Sequence, residues 1–172
     1  MKLGIISDTH ITKNNEKYKV TTLINQLKQV FKDVDEIVHA GDVCEKFFLD
    51  EIREIAPTKC VKGNLDNINN LEIFTKFSIG RYNIGVIHLL PSNVEEFTKK
   101  HDLQILIFGH THQPLIKGTD FNVLLLNPGS PTKPKAPLKR PGFMKPIARP
   151  SVITLNIDEN DILSTFIINL KM

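Results

Sequence analysis

Cysteine is scarce in this chain. There are two among 172 residues, Cys44 and Cys60, and neither sits in a metal-finger spacing. That scarcity excludes a disulfide framework and a thiolate zinc site, and reduced thiols in a cytoplasmic protein are the expected state. Long apolar runs are missing too. No stretch nears the ~20 residues needed to span a bilayer, so no membrane association is expected. The chain also passes from Met1 straight into a strand-like run, so no signal peptide is expected. Net charge is only +3. Aromatic residues do not interleave with the basic ones as a nucleic-acid platform requires, so nucleic acid is not an expected partner. Self-similarity at 20–50 residues is absent, which removes solenoids and propellers.

What remains is the composition of an ordinary folded globular protein. Apolar residues make up 41% and charged residues 24%, enough for one domain spanning residues 1–172 with a developed core. One segment departs from this average. Residues 131–150 hold six of the ten prolines and six basic residues, with no acid. The basic set is Lys133, Lys135, Lys139, Arg140, Lys145 and Arg149. Proline excludes helix interiors and ladder positions, so this is an irregular or extended loop. Its plain reading is a solvated surface loop. A more specific reading is an electrostatic rim that draws in an anionic substrate.

Periodicity divides the rest into strands and helices. Strand-like runs cover residues 3–6, 37–40, 60–61, 84–87 and 105–108. Val20, Leu23, Ile24, Leu27 and Phe31 have helical spacing, with Asn25, Gln26, Lys28 and Gln29 opposite. Phe47, Phe48, Glu51, Ile52 and Ile55 suggest a second helix stopped by Pro57, and Val94 to Lys100 a third, with Ser92 as its N-cap. Such helices join parallel neighbours. Beyond Leu115, turns at Gly118-Thr119-Asp120 and Asp158-Glu159-Asn160-Asp161 read as antiparallel hairpins. An α/β fold of two stacked mixed sheets flanked by helices follows.

Each early strand ends in a short polar cluster. These are Asp8-Thr9-His10, Gly41-Asp42, Gly63-Asn64, His88 and Gly109-His110-Thr111-His112. Any one alone is ordinarily a turn or a helix cap. A repeated chemistry at successive strand ends is not, because ligand sites in open α/β sheets gather at the carboxyl ends of strands. Together the clusters supply seven donors: Asp8, His10, Asp42, Asn64, His88, His110 and His112. Mixed oxygen and nitrogen donors suit Mn, Fe, Co, Ni or Zn better than Mg or Ca. Manganese is the first expectation, with the others as alternatives. Two such ions ~3.5–4 Å apart can share a carboxylate and acidify water. Asp42 is the candidate bridge, because a carboxylate has two oxygens and a full charge. Asn64 adds a neutral oxygen, which limits repulsion of a phosphate. His39 and His101 are not expected to be ligands, although His39 is a candidate for supporting one from behind.

In order along the chain, D-x-H, G-D, G-N, H and G-H-x-H resemble the motif set of the calcineurin-type metallophosphoesterases. Within that superfamily the chain looks like the small bacterial and archaeal phosphodiesterases, whose further typical stretch matches Asn127-Pro128-Gly129-Ser130. The resemblance implies a four-layer α/β/β/α sandwich and two divalent metal ions per chain. One would be held by Asp8, His10, Asp42 and His112, the other by Asp42, Asn64, His88 and His110. Asp42, Asn64 and His88 would take part directly in hydrolysis of a small phosphate diester by a dinuclear-metal-activated water. Two positions depart from the pattern. The wider superfamily commonly places a leaving-group His after the Gly-Asn, where this chain has Leu65 and Asp66, and His88 is followed by Leu89 and Leu90 rather than a small residue. Those leucines are expected to bring bulk beside the site. Two other readings are weighed. A non-catalytic scaffold resembling the retromer subunit is the alternative, against which stand all seven retained donors. A nuclease of the same superfamily is disfavoured by small size. A homo-oligomer is compatible with the sequence.

Overall fold

The computed structural model describes residues 1–171 of the chain. Five strands place the site, each a short run paired in parallel with a neighbour in its own sheet. They are β1 (Lys2–Ile6), β2 (Glu36–His39), β3 (Thr58–Cys60), β5 (Tyr82–Ile87) and β6 (Ile105–Ile107). The helices are α1 (Lys17–Val30), α2 (Lys46–Arg53) and α3 (Val94–Lys100), and the other strands β4 (Phe74–Ile79), β7 (Pro114–Gly118), β8 (Leu124–Pro128), β9 (Ser151–Ile157) and β10 (Leu163–Asn169). One mixed sheet runs β10-β9-β1-β2-β3 and the other β4-β5-β6-β8-β7. β1, β2 and β3 are parallel neighbours joined through α1 and α2, and β5 and β6 are parallel neighbours joined through α3. Both downstream hairpins are antiparallel, as their turns require.

The two-residue period of a strand explains the layering. Leu3 and Ile5 of β1 point into the core between the sheets, with Val38, Ile84, Ile105, Ile107 and Leu126. Ile6 and Ile37 point the other way, onto Leu23 and Leu27 of α1 and Phe48 and Ile52 of α2. On the second sheet Leu106 faces Leu103, Phe108 and the α3 residues Val94 and Phe97. The result is a four-layer sandwich: helices, sheet, sheet, helix. Gly4 is required by this packing, because a Cβ there would lie 2.8 Å from the Phe31 ring.

Three local readings change. The N-cap of α3 is Asn93, whose side chain accepts from the Glu96 N–H at 3.1 Å, and not Ser92. β4 has no counterpart in the sequence reading. It is an edge strand paired only with β5, and most of its residues are partly exposed, so no clean alternation marks it. Val61 lies past the end of β3 and forms an isolated bridge to Glu72. Residues 131–150 contain neither helix nor strand, as their prolines dictate. Among the described residues no helix is long and apolar enough to cross a membrane.

Candidate metal centre

Parallel strands all finish at one edge of the sandwich, so the polar clusters that follow them meet there. All seven donors are brought into two groups. In one, the Nε2 atoms of His10 and His112 face each other at 3.1 Å, and His112 Nε2 lies 3.4 Å from Asp8 Oδ1. In the other, Asn64 Oδ1 lies 3.1 Å from His88 Nε2 and 3.2 Å from His110 Nδ1. Between them stands Asp42, whose Oδ2 is 3.8 Å from His10 Nε2 and 3.5 Å from His88 Nε2. Donor atoms about 3 Å apart match the edges of a coordination sphere with arms of ~2.0–2.2 Å. Hydrogen bonds alone do not explain two imidazole nitrogens and a carboxylate oxygen aimed at one point.

Unusual backbone aims these side chains. Asp8, His10, Asp42, His110 and His112 have φ of 52°, 48°, 57°, 67° and 60°. The left-handed region costs non-glycine residues roughly 1–3 kcal/mol each and persists where the surroundings impose it. Gly63 cannot be replaced in this arrangement, since a Cβ there would sit 2.2 Å from the Asp42 backbone nitrogen.

A second set of groups holds the donors from behind. His88 Nδ1 donates to the Ala40 carbonyl at 2.8 Å and His112 Nδ1 to the Lys133 carbonyl at 2.8 Å, so each Nε2 turns its lone pair inward. Ser7 Oγ lies 2.7 Å from Asp8 Oδ2, and the His110 N–H donates to the same oxygen at 3.0 Å. Ser130 Oγ donates to the Asp8 carbonyl, while Asn127 Nδ2 donates to the Gly109 carbonyl and its Oδ1 accepts from the Gly129 N–H. The Asn127–Ser130 stretch therefore ties the first and last donor clusters together. The root of the basic loop joins in: Thr132 Oγ1 donates to the Thr9 carbonyl and the Lys135 N–H to the His112 carbonyl.

Asp66 is the residue that sequence reasoning missed. It appears there only as a departure from the family pattern, yet it is 6% exposed and accepts three backbone N–H bonds. They come from Asp42 at 3.0 Å, Gly63 at 2.7 Å and Cys44 at 2.6 Å. One buried carboxylate thus clamps the Gly-Asp turn onto the Gly-Asn turn. The available signal was an acid three residues beyond Gly63, placed to accept from that glycine's N–H.

Four further expectations meet the structure. Asp42 Oδ1 accepts from the Leu65 N–H at 2.8 Å, while Oδ2 lies near both His10 and His88. Leu90 does not crowd the site. It packs with Phe97 and Leu103 under α3, and only Leu89 stays exposed. His39 is fully buried, with Nε2 3.1 Å from Thr9 Oγ1, and joins neither donor group. His101 caps α3 and stacks between Phe74 and Phe97, away from the donors.

Electrostatics shows that the set suits a cation. Burial lowers the His10 pKa to about 4, reinforced by the Lys133 charge, and lowers His39 to about 3, so both imidazoles are neutral at pH 7. Burial raises the Asp8 carboxyl above its ordinary value, against the Ser7 hydrogen bond and the nearby histidines. At Asp42 burial acts in the same direction, but bonds from His88 and the Leu65 N–H hold the carboxyl below its ordinary value. Burial would lower His88, and Asp42 and the Ala40 carbonyl raise it instead. Desolvated carboxylates grouped with imidazole nitrogens favour a nearby cation. Cys44 and Cys60 are free thiols, pushed up by burial to about 11 and about 12, which makes thiolate ligation unfavourable.

The chain is similar to known proteins along most of its length. Residues 1–146 match the calcineurin-like phosphoesterase superfamily domain. A probable metallophosphoesterase of Methanothermobacter thermautotrophicus is 34% identical over 166 residues, covering 92% of this chain and 87% of that protein. Zinc-complexed Vps29 of Entamoeba histolytica superposes with a TM-score of 0.70 at 23% identity, covering 98% of this chain and 99% of the other. An archaeal phosphodiesterase superposes with a TM-score of 0.65 at 24% identity, covering 98% and 100%. At such identities the two structural likenesses concern the fold.

Proposed function

The chain belongs to the calcineurin-like phosphoesterase superfamily, and from that premise we propose that it is a phosphodiesterase using two divalent cations. The observation that carries this reading is Asp42 Oδ2, placed between a His10–His112–Asp8 group and an Asn64–His88–His110 group. Asp42 would be the residue common to both cations, because its Oδ2 lies near both groups. Asp8, His10 and His112 complete one site and Asn64, His88 and His110 the other. Manganese is the first candidate, with Ni, Co, Fe and Zn compatible with the same donors. When bound, the pair supplies Lewis acidity toward the phosphoryl oxygens and acidifies a water.

The remaining work falls to the chain itself. The carbonyls of Ala40 and Lys133 keep His88 and His112 in one tautomer. Asn64 contributes an oxygen without charge, so the centre does not repel a phosphate anion. Next to Asn64 stands Leu65, 52% exposed, and next to His88 stands Leu89, 59% exposed. Neither can protonate a leaving group, and both offer apolar surface to a carbon-bearing ester arm. A diester carries one charge and two such arms, so it suits this mouth better than a dianionic monoester. The alternative is a non-catalytic metal-binding scaffold, against which the seven converging donors weigh.

The direct test strips the purified protein with chelator, counts bound metal on reconstitution, and compares aryl diesters with aryl monoesters under Mn, Ni, Co and Zn. Two metals per chain and a diester preference of at least about tenfold in kcat/KM, some 1.4 kcal/mol, are expected. Full turnover by metal-free protein, or preference for the monoester, would overturn the reading.

The basic loop yields a separate expectation. Lys135, Lys139 and Arg140 are exposed, and none is in an ion pair among the described residues. Changing all three to Gln should raise KM for an anionic diester about three- to tenfold at low salt and leave kcat nearly unaltered. The salt dependence of KM should flatten in the variant, because charges screened by salt are no longer present. An unchanged KM at low salt would return this segment to a plain solvated loop.

A further inference from the structure

A cleft of about 500 Å³ opens directly from His10, between the first turns of α1 and the two ends of the Pro-rich loop. That volume lies within the range of small-molecule sites. Its floor is Ile11, 2% exposed, and its walls include Tyr18, Lys19, Pro131 and Lys133. No acidic residue lines it. Tyr18 is 65% exposed and lies outside the hydrophobic core. Lys19 Nζ stands 5.7 Å from the Tyr18 ring centroid but is paired with Glu16 at 2.9 Å. Lys133, by contrast, is in no ion pair among the described residues. The cleft therefore offers one unpaired cation, an aromatic face and proline edges, which is the lining for a flat ring and not for a second phosphate. Another cleft, of about 530 Å³ between α1 and α2, includes none of the seven donors.

We propose that this cleft receives the alcohol arm that stays on phosphorus when the other leaves, and that this retained arm carries a planar aromatic or heteroaromatic ring, as in aryl or nucleoside phosphodiesters. The proposal rests on the phosphodiesterase reading and names the substrate class of the same centre. With phosphorus at the donors, an arm passing His10 enters the cleft and lays its ring against Tyr18 and the prolines. Lys133 lines the same cleft as His10, and its charge would favour the anionic diester without specifying the ring. Aromatic pairs gain over and above the area they bury, so the ring should be distinguished from an alkyl group of similar size.

The test uses two esters with one leaving group, phenyl 4-nitrophenyl phosphate and ethyl 4-nitrophenyl phosphate, on the metal-loaded protein. The phenyl ester should be favoured about tenfold in kcat/KM. Tyr18→Ala should bring that ratio toward one by raising KM for the phenyl ester, leaving the ethyl ester as it was. Because the side chain is mostly exposed, the unfolding temperature should not move. A second measurement needs no turnover: calorimetric binding of diphenyl phosphate against diethyl phosphate, in both proteins. A Tyr18-dependent preference for diphenyl phosphate without hydrolysis of either ester would keep the cleft and overturn the phosphodiesterase reading. Hydrolysis with equal rates for the two esters, or a ratio that Tyr18→Ala leaves unchanged, would overturn the cleft alone. Absence of both hydrolysis and Tyr18-dependent binding would overturn both.

Discussion

Asp42→Asn should lower kcat/KM by about 10³-fold or more, the largest loss of any single substitution in the centre. The amide keeps the size and shape of the carboxylate, and its oxygen can still accept from the Leu65 N–H at the Oδ1 position. What disappears is the negative charge facing both donor groups from Oδ2. A His10→Ala change removes one neutral donor from one group, so its cost should be smaller. Metal analysis beside steady-state kinetics checks the claim: the Asn variant should lose metal from both sites, and the His10 variant from one. Two retained metals with near-normal turnover would sink the assignment of Asp42 as the shared ligand.

The second large effect is on stability. Asp66→Ala removes the acceptor of three backbone N–H bonds that lie in buried turns. Each orphaned donor costs about 1–3 kcal/mol, so a loss of roughly 3–5 kcal/mol is expected after water enters part of the space. That is a large share of the ~5–15 kcal/mol margin of a folded domain. Asp66→Asn should fall between, because one oxygen still accepts while the amide nitrogen cannot. Urea unfolding of the metal-free proteins gives the comparison directly, with the m-value as a check on the transition. The same substitution should weaken metal affinity about 10–100-fold, since the two turns it joins present Asp42 and Asn64. An unfolding free energy within about 0.5 kcal/mol of the parent would mean that the clamp is not needed.

Much of the architecture was legible because it follows from short-range periods. β1, β2 and β6 carry residues that must be buried on both faces, and α1 and α2 carry one apolar stripe each. Where the local signal was equal for two residues, or weak, the reading failed. Ser92 and Asn93 are both good N-caps, and only the backbone shows which one meets the Glu96 N–H. β4 lies at a sheet edge, half-exposed, so its alternation is blurred and its pairing with β5 is what makes it a strand. Leu90 follows a candidate ligand in sequence, yet the chain turns it under α3.

The candidate centre divides in the same way. The identities of its seven donors, and their placement just beyond strand ends, are properties of the sequence alone. So is the mixed oxygen–nitrogen chemistry, because donor type belongs to the side chain. Which atoms face one another is not. That Asp42 Oδ2 lies between His10 and His88, that Asp66 clamps two turns, and that the Lys133 carbonyl orients His112 depend on segments far apart in the chain. Backbone carbonyls and N–H groups are the same at every residue, so no residue pattern announces their use. They acquire a direction only when two sheets stack and force the connecting turns into left-handed conformations, and tertiary structure alone decides that.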